Sequence, residues 1–168
     1  MDLSLLIWSF LIIFMLHNFE EIITIEKWFH KTYPRIKERI PPFFNREMEQ
    51  FKTITTAQFS IAVCVLFIIS SVLIIISITT NHYFLFLGLN IFFSLNIFTH
   101  PVQSLLLKCY VPGLWTTLVF IIPYNLIVLY QFYSKGLLDT ALIINALIVT
   151  ILFIPLLMLS HKIAERYV

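Results

Sequence analysis

The sequence predicts an all-α polytopic membrane protein, a bundle of about five transmembrane helices with the N-terminus outside and the C-terminus cytoplasmic. Three observations carry that prediction. Hydrophobic residues make up 60% of the 168-residue chain and charged residues only 12%, and the mean hydropathy is +0.93; soluble domains are about 45–50% apolar. Charge is concentrated, with seven of the eleven Lys and Arg between Glu26 and Lys52 and long stretches elsewhere holding none. Five apolar segments are each long enough for a hydrocarbon core about 30 Å thick, which takes roughly 20 helical residues.

Those segments run over 3–25, 54–79, 83–107, 112–133 and 137–160, within one transmembrane domain spanning 1–168. The first twenty residues carry Asp2 but neither Lys nor Arg, and no small-x-small cleavage pattern follows the apolar run, so it reads as a retained helix and not a secretory signal. Thr79-Thr80-Asn81-His82 and Ser134-Lys135-Gly136 are links so short that the helices they join should pack as antiparallel neighbours. Pro123 and Pro155 should kink their spans, and Val111-Pro112-Gly113 marks a sharp turn before the fourth. The 26–52 segment interleaves Trp28, Phe29, Tyr33, Phe43, Phe44 and Phe51 with its basic residues, as an amphipathic cytoplasmic loop on the inner leaflet would, and Pro41-Pro42 should interrupt any helix there. Cys64 and Cys109 lie far apart along the chain without metal-type spacing, which argues against a structural disulfide or a cysteine-based metal site.

Orientation follows from the basic residues. With the 26–52 loop inside, ten of the eleven Lys and Arg are cytoplasmic and only Lys135 is outside, as the positive-inside rule requires. These residues flank apolar spans and form no soluble basic face, so nucleic acid is not an expected partner.

Within this apolar chain, polar groups at membrane depth stand out. Span one places His17, Glu20 and Glu21 in Leu16-His-Asn-Phe-Glu-Glu-Ile, and offsets of three and four put both carboxylates on the imidazole's helix face. Span three carries Asn96, His100, Gln103 and Ser104 in one stripe, with His100 heading a His-Pro step. By helical rise, His17 lies about 15 Å from Lys27 and His100 about 12 Å from Lys108, so the histidines can meet on the cytoplasmic side. Gln58 and Thr117 fall near the same level, and Thr117, Tyr124 and Gln131 recur on span four.

Three readings of the cluster stay open. His17, Glu21 and His100 have the chemistry of divalent metal ligands, zinc foremost, with an open position for hydrolysis and Glu20 as base. Alternatively, closely placed His and Glu groups move protons without metal, as an isomerase or proton-coupled carrier requires. The purely structural alternative has the same groups joining helices one and three by hydrogen bonds. Asn96, Gln103, Gln58, Thr117 and Tyr124 are then candidate ligand-binding residues. Asn145 suits an interhelical hydrogen bond, while His30, His82 and His161 sit at span ends, where solvated surface is expected.

His17-Asn18-Phe19-Glu20-Glu21 near the end of a first span, a later span with Asn96 and His100, and then a Pro-Gly turn resemble the HXXEE-motif integral membrane proteins. The likeness extends over essentially the whole chain in size and span layout. It implies that these residues matter without assigning them an activity. A weaker likeness is to the five-span sterol isomerase and sigma-2 receptor superfamily, which also sets His and Glu in a membrane cavity. No Walker-type loop, Gly-x-Ser-x-Gly elbow or large histidine set is present, which argues against ATP-driven and di-iron chemistry. The expectation is a multi-pass protein, of a bacterial cell membrane, acting on a lipid or apolar small molecule. An intramembrane enzyme is favoured over a carrier because symmetric halves are missing, with a non-catalytic ligand-binding or accessory protein as the third possibility.

Overall fold

The computed structural model describes residues 2–40 and 54–167. Its elements are α1 (Leu3–Lys31), the short turn α2 (Tyr33–Ile36) continued by a 3-10 turn (Lys37–Arg39), α3 (Thr56–Thr80), α4 (Tyr83–Leu107), α5 (Leu114–Ser134) and α6 (Thr140–Tyr167). Five of them, α1 and α3 to α6, are long and apolar enough to cross a bilayer. The chain is therefore an all-α, multi-pass integral membrane protein, with no strand among the described residues.

Helix α1 starts at an Asp2 cap that accepts from the Ser4 N–H at 3.1 Å, and it runs six residues past the expected end of the first span. Trp28, Phe29 and Tyr33, expected on the membrane surface, are buried in the bundle instead. The extended helix carries Trp28 and Phe29 along the interior face that begins at Leu6 and Phe10, and α2 buries Tyr33 just beyond it. Pro41-Pro42, Phe43, Phe44 and Phe51 lie outside the described residues.

Helix α3 opens on a capping box: the Gln58 N–H donates to Thr55 Oγ1, and the Thr55 N–H donates to Gln58 Oε1, both at 3.1 Å. Glu26 of α1 holds this same end, accepting from the Thr56 N–H at 3.0 Å and hydroxyl at 2.7 Å. The helix ends at Asn81 in the left-handed region (φ 58°), and the chain turns directly into α4, its packed neighbour.

The second short link behaves differently. Helices α5 and α6 do not pack along one another; α6 lies on α4 and α3, reached through the non-helical residues 137–139. What draws it there is a close crossing at Gly88, where a Cβ would fall 2.6 Å from the Ala146 carbonyl oxygen and from Val149 Cβ. The Thr150 hydroxyl lies between the Gly88 carbonyl at 3.0 Å and the Ala146 carbonyl at 2.9 Å, and can donate to either. Because Ala146 takes this inward position, Asn145 is exposed and makes none of the interhelical bonds expected of it.

Helix α4 has two halves, Tyr83–Ser94 and Asn96–Leu107, broken at Leu95, with Pro101 inside the second. The first half packs on α6; the second leaves it and packs against the start of α5. In α5, one α-turn leads into a π-helical segment, Thr117–Ile121, before regular helix resumes. Pro123 lacks the N–H that a regular turn would need, and the widened segment just before it absorbs that loss.

At the bundle centre, the Phe10 ring meets Phe93 at 5.4 Å, Phe86 at 6.0 Å and Tyr124 at 6.4 Å between centroids. Asn90 and Asn125 form a buried interhelical bond of 2.8 Å. Both lie in runs where every neighbour is apolar, the one local sign of the pairing.

Candidate functional site

The site begins with helical spacing. His17 and Glu21 are one turn apart on α1, and the broken α4 presents His100 to them from its second half. His17 Nε2 is 3.9 Å from Glu21 Oε2, and His100 Nε2 is 3.4 Å from Glu21 Oε1. One ligating atom from each residue lies within 4.8 Å of the others, and the imidazole centroids are 5.1 Å apart. Phe93 stands edge-on to His17 at 5.3 Å and closes one side.

Gly113 closes the other side. Its backbone is left-handed (φ +83°), and a Cβ there would stand 2.8 Å from His17 Cε1 and 2.9 Å from His100 Cε1 and Nε2. Only a glycine lets the turn before α5 press against both rings at once.

Glu20, expected as a general base, points away from this cluster. Its Oε1 accepts from the Tyr110 hydroxyl at 2.5 Å and the Trp115 N–H at 3.3 Å; Oε2 accepts from the Thr116 N–H at 2.7 Å and hydroxyl at 2.5 Å. Four donors on one carboxylate make Glu20 the anchor of the corner between α4 and α5. Tyr110 is held a second time, its carbonyl accepting from the Trp28 indole N–H at 2.5 Å. Burial, and then the bond to Glu20, push the Tyr110 phenol up to about 12, so it stays a donor.

The corner also sets the proton on His17. Thr116 Oγ1 has one proton, and the Glu20 carboxylate takes it. His17 Nδ1, 2.9 Å from the same oxygen, must therefore donate. A neutral His17 then turns the lone pair of Nε2 toward Glu21 and His100. Among the described residues, His17 Nε2 and both His100 nitrogens are buried without a hydrogen-bond partner. His17 Nε2 thus turns a lone pair toward the Glu21 carboxylate and toward His100, whose neutral ring has one lone pair and one N–H to place.

A cation satisfies that arrangement. Zinc–ligand bonds of about 2.0–2.2 Å put tetrahedral ligands roughly 3.3–3.5 Å apart. The His100 Nε2–Glu21 Oε1 separation of 3.4 Å matches, the His17 Nε2–Glu21 Oε2 separation is 3.9 Å, and with all three ligand atoms within 4.8 Å of one another the set must draw together to hold the ion. The residues present fit a three-ligand divalent site.

The cluster heads a cavity of about 400 Å³. Asn18, Asn96, Thr99 and Gln103 add polar groups, and Trp28, Phe59, Leu66 and Phe92 are among the apolar walls; no Lys or Arg lines it among the described residues. His161 lines it too, although its place beside Lys162 gave it the look of a span end. Three expected ligand-binding residues are elsewhere. Gln58 is used in the α3 capping box. Thr117 is buried at the start of the π-helical segment. Tyr124 donates to the Leu6 carbonyl at 2.9 Å in the core. Sequence reasoning missed Tyr110, Gly113 and Thr116 as parts of the site. The Pro-Gly turn was their single local signal.

A five-span bundle with a buried His-Glu-His cluster at the head of an internal cavity defines the class as a polytopic membrane protein with a built polar site. A family described as proteins of unknown function with an HXXEE motif matches residues 8–128, and the chain belongs to that family. The motif is His17-Asn18-Phe19-Glu20-Glu21. The chain is also similar to the uncharacterized protein YrkK of Bacillus subtilis (strain 168), 38% identical over 71 residues, or 42% of this chain and 45% of the relative. The match therefore spans less than half the length of that relative. No solved structure matches.

Proposed function

We propose that this protein is an intramembrane metal-dependent enzyme that hydrolyses a lipid or other apolar small molecule, with His17, Glu21 and His100 holding a divalent cation, zinc by preference. The observation that supports this reading is the convergence of His17 Nε2, the Glu21 carboxylate and His100, with one potential ligand atom from each within 4.8 Å of the others. Two imidazoles and a carboxylate leave a fourth position open, the arrangement of catalytic zinc sites. The cation would supply Lewis-acid polarisation of an ester or amide carbonyl. The chain's own residues do the rest: Thr116 holds the His17 ring, Glu21 offsets the cation's charge, and Asn18, Asn96 and Gln103 offer hydrogen bonds to a polar head. Apolar walls keep bulk water out. Glu20 is an anchor in this reading and not the base.

The ledger of basic residues supports an outside N-terminus, a cytoplasmic C-terminus and a site in the cytoplasmic half of the membrane, and the likeness to a Bacillus subtilis protein supports a bacterial cell membrane. The partners are then membrane lipids and an apolar substrate. A proton-coupled carrier is the second reading, favoured by the 3.4 Å approach of His100 to Glu21.

The test is metal analysis of the detergent-purified protein. One zinc per chain, lost in His17→Ala and His100→Ala, is expected. Wild-type protein that stays metal-free after incubation with zinc would sink the enzyme reading and leave the carrier, which proton uptake into proteoliposomes then examines.

A further inference from the structure

The mouth of the cavity says where its occupant comes from. Leu95 and Thr99 of α4 both line the cavity and are exposed on the outside of the bundle. Leu95 falls at the middle of the 25-residue α4, and so at mid-bilayer depth. From Leu95 onward α4 has left α6, and Leu157 and His161 of α6 line the cavity across that gap. The opening therefore faces hydrocarbon and not water.

The lining describes what fits. A cavity of about 400 Å³ is at the small end of ligand pockets, which run about 300–1,000 Å³, and suits one acyl chain better than two. Its walls are largely aromatic and aliphatic, and Asn18, Asn96, Thr99 and Gln103 each stand within four residues of His17 or His100 on the same helices. Asn18 spends its amide N–H on the Phe14 carbonyl at 2.7 Å, which leaves its oxygen as an acceptor. Among the described residues no Lys or Arg lines the cavity, so in the metal-free protein no lining cation pairs with a phosphate or carboxylate head, and Glu21 repels one.

We infer that the gap between the second half of α4 and α6 is a lateral portal through which a single-chain, uncharged lipid, such as a monoacylglycerol, passes from the bilayer into the cavity. Its ester carbonyl comes to rest beside His17, Glu21 and His100. This inference names the substrate class of the enzyme proposed above and rests on that reading only for what happens to the ester, since entry and seating need no metal.

Trp28 lines the cavity, and the chain has two other tryptophans, Trp8 and Trp115, both exposed. The full-length Trp8→Phe/Trp115→Phe variant, reconstituted in unbrominated phosphatidylcholine vesicles, thus reports the cavity by fluorescence. Brominated monoacylglycerol is expected to quench Trp28 saturably, with and without a metal chelator, and unbrominated monoacylglycerol to reverse it. Thr99→Phe/Leu157→Phe should slow the onset of quenching about tenfold while the metal content of the protein is unchanged. Non-saturating quenching equal to that by brominated phosphatidylcholine would overturn the proposal, and so would tighter binding of a brominated fatty acid in the presence of chelator or indifference to the portal substitutions. Saturable quenching in a protein that never binds zinc would uphold the lipid site and refute the metal reading alone.

Discussion

Thr116 joins His17 to Glu20 through one hydroxyl: its Oγ1 lies 2.5 Å from Glu20 Oε2 and 2.9 Å from His17 Nδ1. The two ends of the HXXE step in the motif are therefore bridged by a residue about a hundred positions away, on a different span. Removing that hydroxyl at nearly constant volume, as Thr116→Val does, frees the His17 ring to adopt the other tautomer. Metal affinity should fall about 10–100-fold, the usual cost of losing such an orienting partner. Thr116→Ser should restore it. Competition with a chelating dye measures both, and equal affinity in Thr116→Val and wild type would remove the orienting role.

The two adjacent glutamates should separate by what they change. Glu21→Gln is expected to abolish stoichiometric metal binding with little effect on the apoprotein's unfolding. Glu20→Gln should retain metal but unfold more easily, because four donors would face a neutral amide with fewer acceptor sites. The cost is about 1.5–3 kcal/mol if one charged hydrogen bond is lost. Denaturant unfolding in detergent, followed alongside metal analysis, distinguishes the pair; identical behaviour would mean that the anchor and ligand roles are wrongly assigned.

Tyr110 brings a pH dependence to the corner. Its phenol is raised from an ordinary 10.0 to about 12 by burial and by the bond it donates to Glu20. A raised pKa means that the folded state holds the proton more tightly, so stability is insensitive to this group below pH about 10 and declines as pH rises from there toward 12. Tyr110→Phe should flatten that decline. Unfolding midpoints measured across this window check the sign, and a slope unchanged in Tyr110→Phe would assign it to other groups.

Gly113→Ala tests how closely the turn is fitted to the site. The added Cβ meets both imidazoles at under 3 Å and sits at positive φ, a conformation costing a non-glycine residue about 1–3 kcal/mol. Loss of metal together with a lower unfolding midpoint is expected. Gly136→Ala is the control, since it too has positive φ (65°) but meets nothing within 4 Å; it should be destabilised without losing metal.

Much of the architecture was legible in the chain because a bilayer imposes a simple length rule. The five spans and the depth match of His17 and His100 follow from apolar run lengths and a fixed helical rise. The partnering of α6 did not follow from its short link to α5, because the close approach at Gly88 offered it a better face on α4. His161 and Trp28 read as surface residues because each has a basic neighbour in sequence. Both nevertheless face the cavity.

By itself, then, the sequence determined that this is an all-α membrane protein, which residues share a helix face, and that His17, Glu21 and His100 can meet. Only the tertiary structure decided that Glu21 enters the cluster while Glu20 anchors the α4–α5 corner, and that Gln58, Thr117 and Tyr124 serve the scaffold. The reason is rotational. A soluble helix shows its buried side by an apolar stripe, but a transmembrane helix is apolar nearly all round, so its rotation about its own axis is left to packing. Glu20 and Glu21 differ by one helical step of about 100°, and the neighbours at Thr116, Tyr110 and Gly113 choose between them.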